Sequence, residues 1–349
     1  MAASTQLAEA TRPRTERLTA VEPSYGDLLA DAVSSGITVW GGGFALVLML
    51  LGAMLWGLGA QREVDSAVVA GKIVLWSGVG LLVLVALRVL LYLISYRTVL
   101  TMDRELLAYF SSPIAYAVIA GVLVIDTINF WDLVSQLRNL QVQMVGEMSP
   151  VVSFVAWNLW FWLALLFIIP AITMRLVAEE RRQGTIEVLL TAPVREVEVV
   201  VGKFLAALVF YTALNVPSLL FLLRLRFSAD YEFELWPVLA TYLGVLSIGA
   251  MFIAVGLFSS ALTRNQIVAA MSTFAILLAL FSTFVFYYYA QASVTFADYA
   301  DLLKHIAVLP HLADLGQGRV NPTYFVYHLS VTGFMLYASV KVLELRRAA

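Results

Sequence analysis

Two Gly-Lys pairs are the places where this sequence comes nearest to a phosphate-binding loop. Such a loop reads G-x-x-x-x-G-K-[ST], because its backbone N–H groups cradle phosphates and its hydroxyl contacts Mg²⁺. Gly202-Lys203 lacks the upstream glycine and has Phe204 where the hydroxyl should stand, and Gly71-Lys72 also fails the pattern. Any ATP hydrolysis linked to this protein must therefore take place on a separate chain.

Other catalytic and metal-binding patterns are equally unsupported. The chain has no cysteine, which excludes thiol catalysis and Cys-ligated metal clusters. His305, His311 and His328 do not have the spacing of a metal site, and no G-x-S-x-G turn is present. We therefore expect no catalytic residue, no metal site and no cofactor in this chain.

The composition indicates that lipid is the main solvent of the chain. Of 349 residues, 61% are hydrophobic and 13% are charged, whereas a soluble domain has about 25% charged residues. So few charges cannot cover a water-facing surface. The net charge of −2 gives no electrostatic reason to expect a nucleic acid partner.

Strongly apolar runs, one of them interrupted by Arg88, predict eight transmembrane helices, since about 20 such residues cross a membrane. No period-2 barrel pattern is present, so the runs are helical, and the fold class is an all-α polytopic membrane protein. The predicted spans lie near 37–59, 73–96, 111–125, 148–174, 204–223, 235–263, 265–289 and 320–340.

The basic residues predict the orientation of these spans. With both termini on one side, that side holds fifteen of the 22 Lys and Arg residues, so we expect it to be cytoplasmic. The residues directly before the first apolar run are not basic, as they would be in a signal peptide. We therefore expect this segment to be a polar tail. The predicted parts are a cytoplasmic tail 1–35, a transmembrane hairpin 36–96, an interfacial helix 97–110 and a six-helix core 111–349 containing a loop 175–203 and an external loop 290–321.

Three ionisable residues lie near membrane depth and are candidates for function. A charge at the bilayer centre costs roughly 2.5–3.5 kcal/mol or more. Arg88 is close enough to Arg97 to extend its side chain to the cytoplasmic face. We expect Asp126 at the external end of the third span, in contact with water. His328 is expected to form hydrogen bonds inside the bundle, with substrate contact as the alternative.

The loop 175–203 joins two strongly apolar spans and carries five of the 22 basic residues. Residues 177–182 predict a charged helical extension of the fourth span, and Gly184 is a suitable stop because it accepts positive φ. Thr185 can cap a short apolar helix over 186–191, which Pro193 would end. This short helix could rest on lipid headgroups or insert into a partner protein.

A second amphipathic segment, 97–110, precedes the third span. It carries charges such as Arg104 and Glu105 beside apolar residues such as Leu106, Leu107 and Tyr109. This pattern is typical of a helix at the membrane interface.

These two segments resemble the type 2 ABC transporter permeases. The resemblance is carried by RELLAYFSSPIAYAVIAG (Arg104–Gly121), by PAITMRLVAEERRQGTIEVLLTAPV (Pro170–Val194) and by the C-terminal sequence from Leu309 to Arg347. It covers roughly residues 100–349 and is nearest to the branch associated with gliding motility and nitrous-oxide-reductase maturation. The family has a six-helix core, so the first two predicted spans would be an addition.

The resemblance implies a permease that lies in the bacterial inner membrane and forms a dimer. It also implies that the permease binds cytoplasmic ABC ATPase subunits, which hold ATP and Mg²⁺. The second permease copy could be identical or a sister subunit, and an accessory membrane or periplasmic subunit is a further possible partner. The resemblance implies coupling residues Glu179, Glu180, Arg181, Gly184, Thr185, Ile186, Glu187, Leu190 and Pro193, and connecting-helix residues Arg104, Glu105 and Tyr109.

Two other classes of function are left open. An ion-coupled secondary transporter would need buried carboxylates at mid-membrane, and the sequence predicts none. The other class is a membrane-embedded enzyme or a scaffold that anchors a cytoplasmic complex. The scaffold stays open because the first two predicted spans could bind an accessory subunit rather than substrate.

Overall fold

The computed structural model describes residues 95–138, 151–184, 195–226, 234–293 and 295–348, and the isolated positions 74, 78 and 85. The chain divides into two compact units, Met1–Val99 and Leu100–Ala349. The predicted tail 1–35 lies outside the described residues. So does the predicted hairpin 36–96, which includes Arg88, apart from a few positions.

All regular structure in the described residues is helical, as the predicted all-α class requires. The helices are α1 (Tyr96–Ser111), α2 (Pro113–Arg138), α3 (Leu159–Thr173), α4 (Ala178–Gln183), α5 (Glu196–Leu214), α6 (Val216–Arg226), α7 (Leu235–Leu262), α8 (Gln266–Ala292), α9 (Ala300–Ile306), α10 (Val308–Gly316) and α11 (Pro322–Ala348). A π-helical turn (Val152–Ala156) precedes α3, and a 3₁₀ turn (Ala297–Tyr299) precedes α9.

Six stretches within the described residues are long and apolar enough to cross a membrane. They are Ala115–Ser135, Leu159–Gln183, Glu196–Leu222, Leu235–Leu262, Gln266–Ala292 and Pro322–Arg347. They correspond to the predicted spans three to eight, so the chain is a multi-pass membrane protein. The first two predicted spans, and with them the count of eight, lie outside the described residues.

Helix α2 continues past the residue at which the sequence predicts the third span to end. The prediction placed Asp126 at an external end in water, but the residue lies near the middle of the apolar stretch Ala115–Ser135 and is only 7% exposed. The prediction was wrong because a helix can carry a charged residue through apolar surroundings when neighbouring helices cover it. A local run of residues does not show that cover.

The predicted continuous extension of the fourth span is interrupted between α3 and α4. Residues 174–177 form a turn, and the side chain of Ser260 on α7 takes over the hydrogen bonds that the helix loses. Its Oγ accepts from the backbone N–H groups of Val177 (3.1 Å) and Ala178 (3.0 Å) and donates to the carbonyl of Met174 (3.2 Å). A hydroxyl from a distant helix therefore stabilises a break that local sequence did not predict.

Helix α7 lies at the centre of the described core. Most of its residues are buried, and it packs against α3, α5 and α11. Two of its glycines allow close approach of neighbouring side chains, since a Cβ at Gly249 would overlap the ring of Tyr211 and a Cβ at Gly256 would overlap Thr173. These two positions therefore fix how near α5 and α3 can lie to α7.

We expect Gly249→Ala and Gly256→Ala each to lower the free energy of unfolding by about 1–3 kcal/mol, because the added methyl overpacks the helix contacts. Gly121→Ala and Gly333→Ala are matched controls, since nothing lies within 4 Å of a Cβ at either position. Thermal unfolding of the purified protein in detergent measures the effect. Equal losses in both pairs of variants would contradict this packing role.

Candidate functional site

A cluster of charged side chains joins α1, α4 and α5. Helix α1 contributes Arg104 and Glu105, α4 contributes Glu180, and the second turn of α5 contributes Lys203. Helices α4 and α5 are the two helices that border the predicted coupling segment. The cluster therefore links both borders of that segment to the amphipathic helix α1.

Lys203 is the buried centre of this cluster, which we call the Lys203 cluster. Its side chain is 1% exposed, and its Nζ lies 2.7 Å from Glu105 Oε1 and 2.9 Å from Glu180 Oε1. Arg104, at the exposed rim, lies 3.0 Å from the same Glu180 oxygen and 3.2 Å from the same Glu105 oxygen. The two basic side chains thus share the two carboxylates. The buried Lys203 ammonium has the opposite charges that it needs to offset its loss of hydration.

The sequence predicted Glu105, Glu180 and Arg104 as site residues but did not predict Lys203. Lys203 was considered only as part of a failed phosphate-binding loop and as one of the basic residues that set orientation. A signal was present, because Lys203 follows Val199-Val200-Val201-Gly202 and precedes Phe204, so its flanks are apolar. A lysine in such surroundings is a candidate for a buried ion pair.

Arg175 and Glu179 form a second ion pair across the break between α3 and α4. Arg175 Nε lies 2.7 Å from Glu179 Oε2, and Arg175 Nη1 donates to Ser112 Oγ at 3.0 Å. Gln183 Nε2 also donates to Glu179 Oε1 at 3.2 Å. Glu179 therefore holds α4 together, while Arg175 links the break to the corner between α1 and α2.

Tyr109 fastens α1 to α3 and α5. Its hydroxyl donates to the carbonyl of Ile172 at 2.9 Å, and its ring stacks on Phe210 with centroids 5.0 Å apart. Burial, reinforced by the nearby charge of Glu105, raises the pKa of Tyr109 well above its ordinary value. The phenol therefore remains a neutral hydrogen-bond donor at physiological pH.

Arg181 bonds to backbone rather than to a carboxylate. Its Nη1 donates to the carbonyl of Ala261 at 2.9 Å, and Arg346 donates to the adjacent carbonyl of Leu262 at 3.1 Å. These carbonyls belong to the last turn of α7, where no helical N–H group is available. The two guanidinium groups supply hydrogen bonds to carbonyls at the end of α7 that would otherwise have no donor in the helix. The observed contacts of Arg181 therefore give it a structural role.

The two borders of the predicted coupling segment have defined backbone geometry. Gly184 follows α4 with φ +72°, which confirms the predicted helix stop. On the other side, Glu198 Oε2 accepts from the Arg195 N–H at 2.9 Å and caps α5. The segment between them, with Thr185, Ile186, Glu187, Leu190 and Pro193, lies outside the described residues.

His328 lies inside the bundle, as predicted, in a chain of hydrogen bonds. Its Nδ1 is 3.0 Å from Ser247 Oγ, and its Nε2 is 3.2 Å from His311 Nδ1. His311 Nε2 is 2.8 Å from the Lys304 carbonyl and must carry a proton there. With its ring neutral, His311 then accepts at Nδ1, so His328 Nε2 is the donor between the two rings.

The surroundings of His311 disfavour its charged form. Burial lowers the pKa of His311 to about 4, against a smaller opposing effect of its bond to the Lys304 carbonyl. The His311 ring stacks on the ring of Tyr324, with centroids 4.0 Å apart. The Tyr324 hydroxyl donates to Asp314 Oδ2 at 2.5 Å. In the described part of the chain, no group of three or more His, Cys, Asp or Glu residues is placed to hold a metal ion.

Comparison with known families gives one match that covers most of the chain. The family model described as ABC-2 family transporter protein matches residues 66–308. This range includes the Lys203 cluster, both borders of the predicted coupling segment and Asp126. No curated protein matches the chain.

Proposed function

Since the chain belongs to the ABC-2 family of transporter proteins and is a permease component of an ABC transporter, we propose that it couples ATP hydrolysis on a separate cytoplasmic ATPase to export of a substrate. The observation that carries this proposal is the Lys203 cluster. It joins α4 and α5, which border the segment 185–194, to α1.

The cluster supports a mechanical role for the segment 185–194. Glu180 stands four residues before Gly184, and Lys203 stands eight residues after Arg195, so both anchors are near the borders of the segment. Because the two residues are 2.9 Å apart, a displacement of the segment would move α4 and α5 together. Because Lys203 also pairs with Glu105 on α1, the same displacement would move α1.

We further propose that the segment 185–194 faces the cytoplasm of a bacterium and inserts into a groove of the ATPase. The bias of fifteen of 22 basic residues to that side supports this orientation. The proposed assembly has two permease copies, identical or related, and two ATPase subunits that hold ATP and Mg²⁺. The motifs in Arg104–Gly121 and Pro170–Val194 support membership of the gliding-motility and nitrous-oxide-reductase-maturation branch.

Copurification tests the proposed partner. Isolation of the protein from its native membrane in mild detergent should recover a nucleotide-binding subunit of the ABC type. Recovery of the intact permease with no ATPase, from membranes that contain such a subunit, would contradict the proposal.

Gly184→Ala tests the proposed coupling, because φ +72° is costly for a residue with a Cβ while nothing lies within 4 Å of that added atom. The variant should therefore alter the direction of the segment 185–194 without overpacking the core. In liposomes containing the permease–ATPase complex, we expect several-fold lower ATPase activity than with wild type. Gly121→Ala, which also adds a methyl group in open space, should leave that activity unchanged. Equal activity of the two variants would count against the coupling role.

A further inference from the structure

Two buried oxygen atoms in the middle of the membrane domain have no hydrogen-bond partner. They are Asp126 Oδ2 and Asn129 Oδ1, on residues that are 7% and 2% exposed. The two residues are three apart on α2 and therefore share one helix face. An ionised carboxylate and an amide oxygen both accept hydrogen bonds, so what this face of α2 lacks is a donor.

The cleft that these two residues line has no donor to offer them. Its other polar residues are Asn215, Ser218 and Tyr242. The Tyr242 hydroxyl donates to Ser218 Oγ at 2.9 Å, and Ser218 Oγ donates to the Asn215 carbonyl at 2.9 Å. Asn215 Nδ2 in turn donates to the carbonyl of Tyr211 at 2.8 Å. The donors of the cleft are therefore engaged with one another or with backbone.

The missing partner is smaller than a water molecule. The cleft has no space for a water-sized body. A cavity of about 20 Å³ adjoins Asp126 on another side, but its lining is mostly apolar and does not include Asn129. The titratable residues that line these two spaces are Asp126, Tyr211 and Tyr242, so no basic side chain faces the carboxyl.

A proton on Asp126 meets both requirements of the site. None of the ion pairs in the described part of the chain includes Asp126. An ionised carboxylate that is buried without a partner is strongly unfavourable, so the group takes up a proton from water instead. The proton removes the buried charge and turns Oδ2 into a donor, for which Asn129 Oδ1 is an acceptor on the same helix face.

We propose that Asp126 is a proton-binding site within the membrane, held as a neutral carboxylic acid that donates a hydrogen bond to Asn129. The site lies where α2 meets α6 and α7, through Ser218 and Tyr242. Loss of the proton would leave an ionised carboxylate among these three helices, so their packing depends on the bound proton. This inference goes beyond the proposed coupling to an ATPase and does not require it.

Infrared spectroscopy of the full-length protein, in a detergent without ester groups, tests the site, because a carboxylic acid and a carboxylate have different C=O stretching bands. At pH 7.5 exposed carboxyl groups are ionised, since their ordinary pKa values are about 4. Wild-type protein should nevertheless show the band of a single carboxylic acid, and the band should move in D₂O. Asp126→Asn should remove this band. Asp132→Asn should retain it, because Asp132 is an exposed carboxylate on the same helix.

Asn129→Leu tests the hydrogen-bond partner. It removes the amide acceptor at similar size, so the carboxylic acid band should remain but move to a different frequency. A band that stays at the wild-type frequency would overturn the assignment of Asn129 as the acceptor.

The measurement on wild type decides the proposal without relying on how the variants fold. Absence of a carboxylic acid band at pH 7.5 would overturn it, and would mean that Asp126 is ionised and accepts from the amide of Asn129. A band that persists unchanged in Asp126→Asn would also overturn it, because another carboxyl group would then hold the proton.

Discussion

Lys203→Met is expected to lower the free energy of unfolding by about 3–5 kcal/mol, because it leaves two carboxylates without their buried cation. The lysine side chain is 1% exposed, and its Nζ lies within 2.9 Å of both Glu105 and Glu180. Methionine matches the lysine in length and apolar character, so little packing is lost. The remaining partner, Arg104, is more than half exposed and cannot replace the ammonium.

The measurement is thermal unfolding of the purified protein, in which such a loss lowers the midpoint by roughly 10 °C. Lys341→Met is the matched control. Lys341 pairs with Glu344 at 2.6 Å, but both side chains are largely exposed, so removing this lysine should leave the midpoint unchanged.

A triple variant separates charge from packing. Adding Glu105→Gln and Glu180→Gln to Lys203→Met removes the uncompensated charges, and we expect it to restore most of the lost stability. If the triple variant is as unstable as Lys203→Met alone, the ammonium contributes through packing instead. Equal midpoints for Lys203→Met and Lys341→Met would likewise contradict the Lys203 cluster.

Acidification is expected to destabilise the protein through His311. Its pKa is lowered to about 4 by burial, whereas an unfolded chain has a histidine pKa of about 6.5. As the pH falls below 6.5, the unfolded chain takes up the proton first, so unfolding becomes more favourable. The contribution of His311 is therefore complete above pH 6.5 and is lost progressively as the pH falls to about 4, by about 3 kcal/mol in all.

Comparison of unfolding midpoints at pH 7.5 and pH 4.5 measures this effect. His311→Gln keeps a donor for the Lys304 carbonyl but has no titrating ring, so its midpoint should fall less on acidification than that of wild type. His305→Gln should behave as wild type, because His305 is exposed. The comparison between variants is needed because Asp314 and His328 lie near the same ring.

If His311→Gln and wild type show the same fall between the two pH values, His311 does not contribute to the pH dependence of stability. A smaller fall in His305→Gln would assign the effect to the exposed histidine instead. Both outcomes would contradict the expected protonation of His311 on unfolding.

Features that depend on local composition were predictable from the sequence. Five of the six long helices follow from long uncharged runs, since a helix satisfies the backbone in lipid, whereas Asp126 led the sequence to end the run of α2 too early. Gly184 was predictable as a helix stop, because positive φ is a property of the residue itself. His328 was predictable as a hydrogen-bonded group, because an apolar span leaves a polar ring few other options.

Features that depend on distant partners were not predictable. Lys203 and Glu105 are 98 residues apart, and no local pattern indicates that they meet. The break after α3 depends on Ser260, which belongs to α7. Asp126 was assigned to a helix end because charge ordinarily ends an apolar run, whereas tertiary neighbours cover it in the structure. A charged residue inside apolar sequence therefore has two interpretations, and only the packing decides between them.

The Lys203 cluster also has a consequence for the electrical behaviour of the transporter. Lys203 and Arg104 oppose Glu105 and Glu180, so the formal charges of the cluster sum to zero. When one elementary charge crosses a membrane voltage of 100 mV, its electrical free energy changes by about 2.3 kcal/mol. The electrical free energy of a neutral group that moves as a unit does not change. Motion of the Lys203 cluster as a unit should therefore add no voltage dependence of its own to the rate of transport.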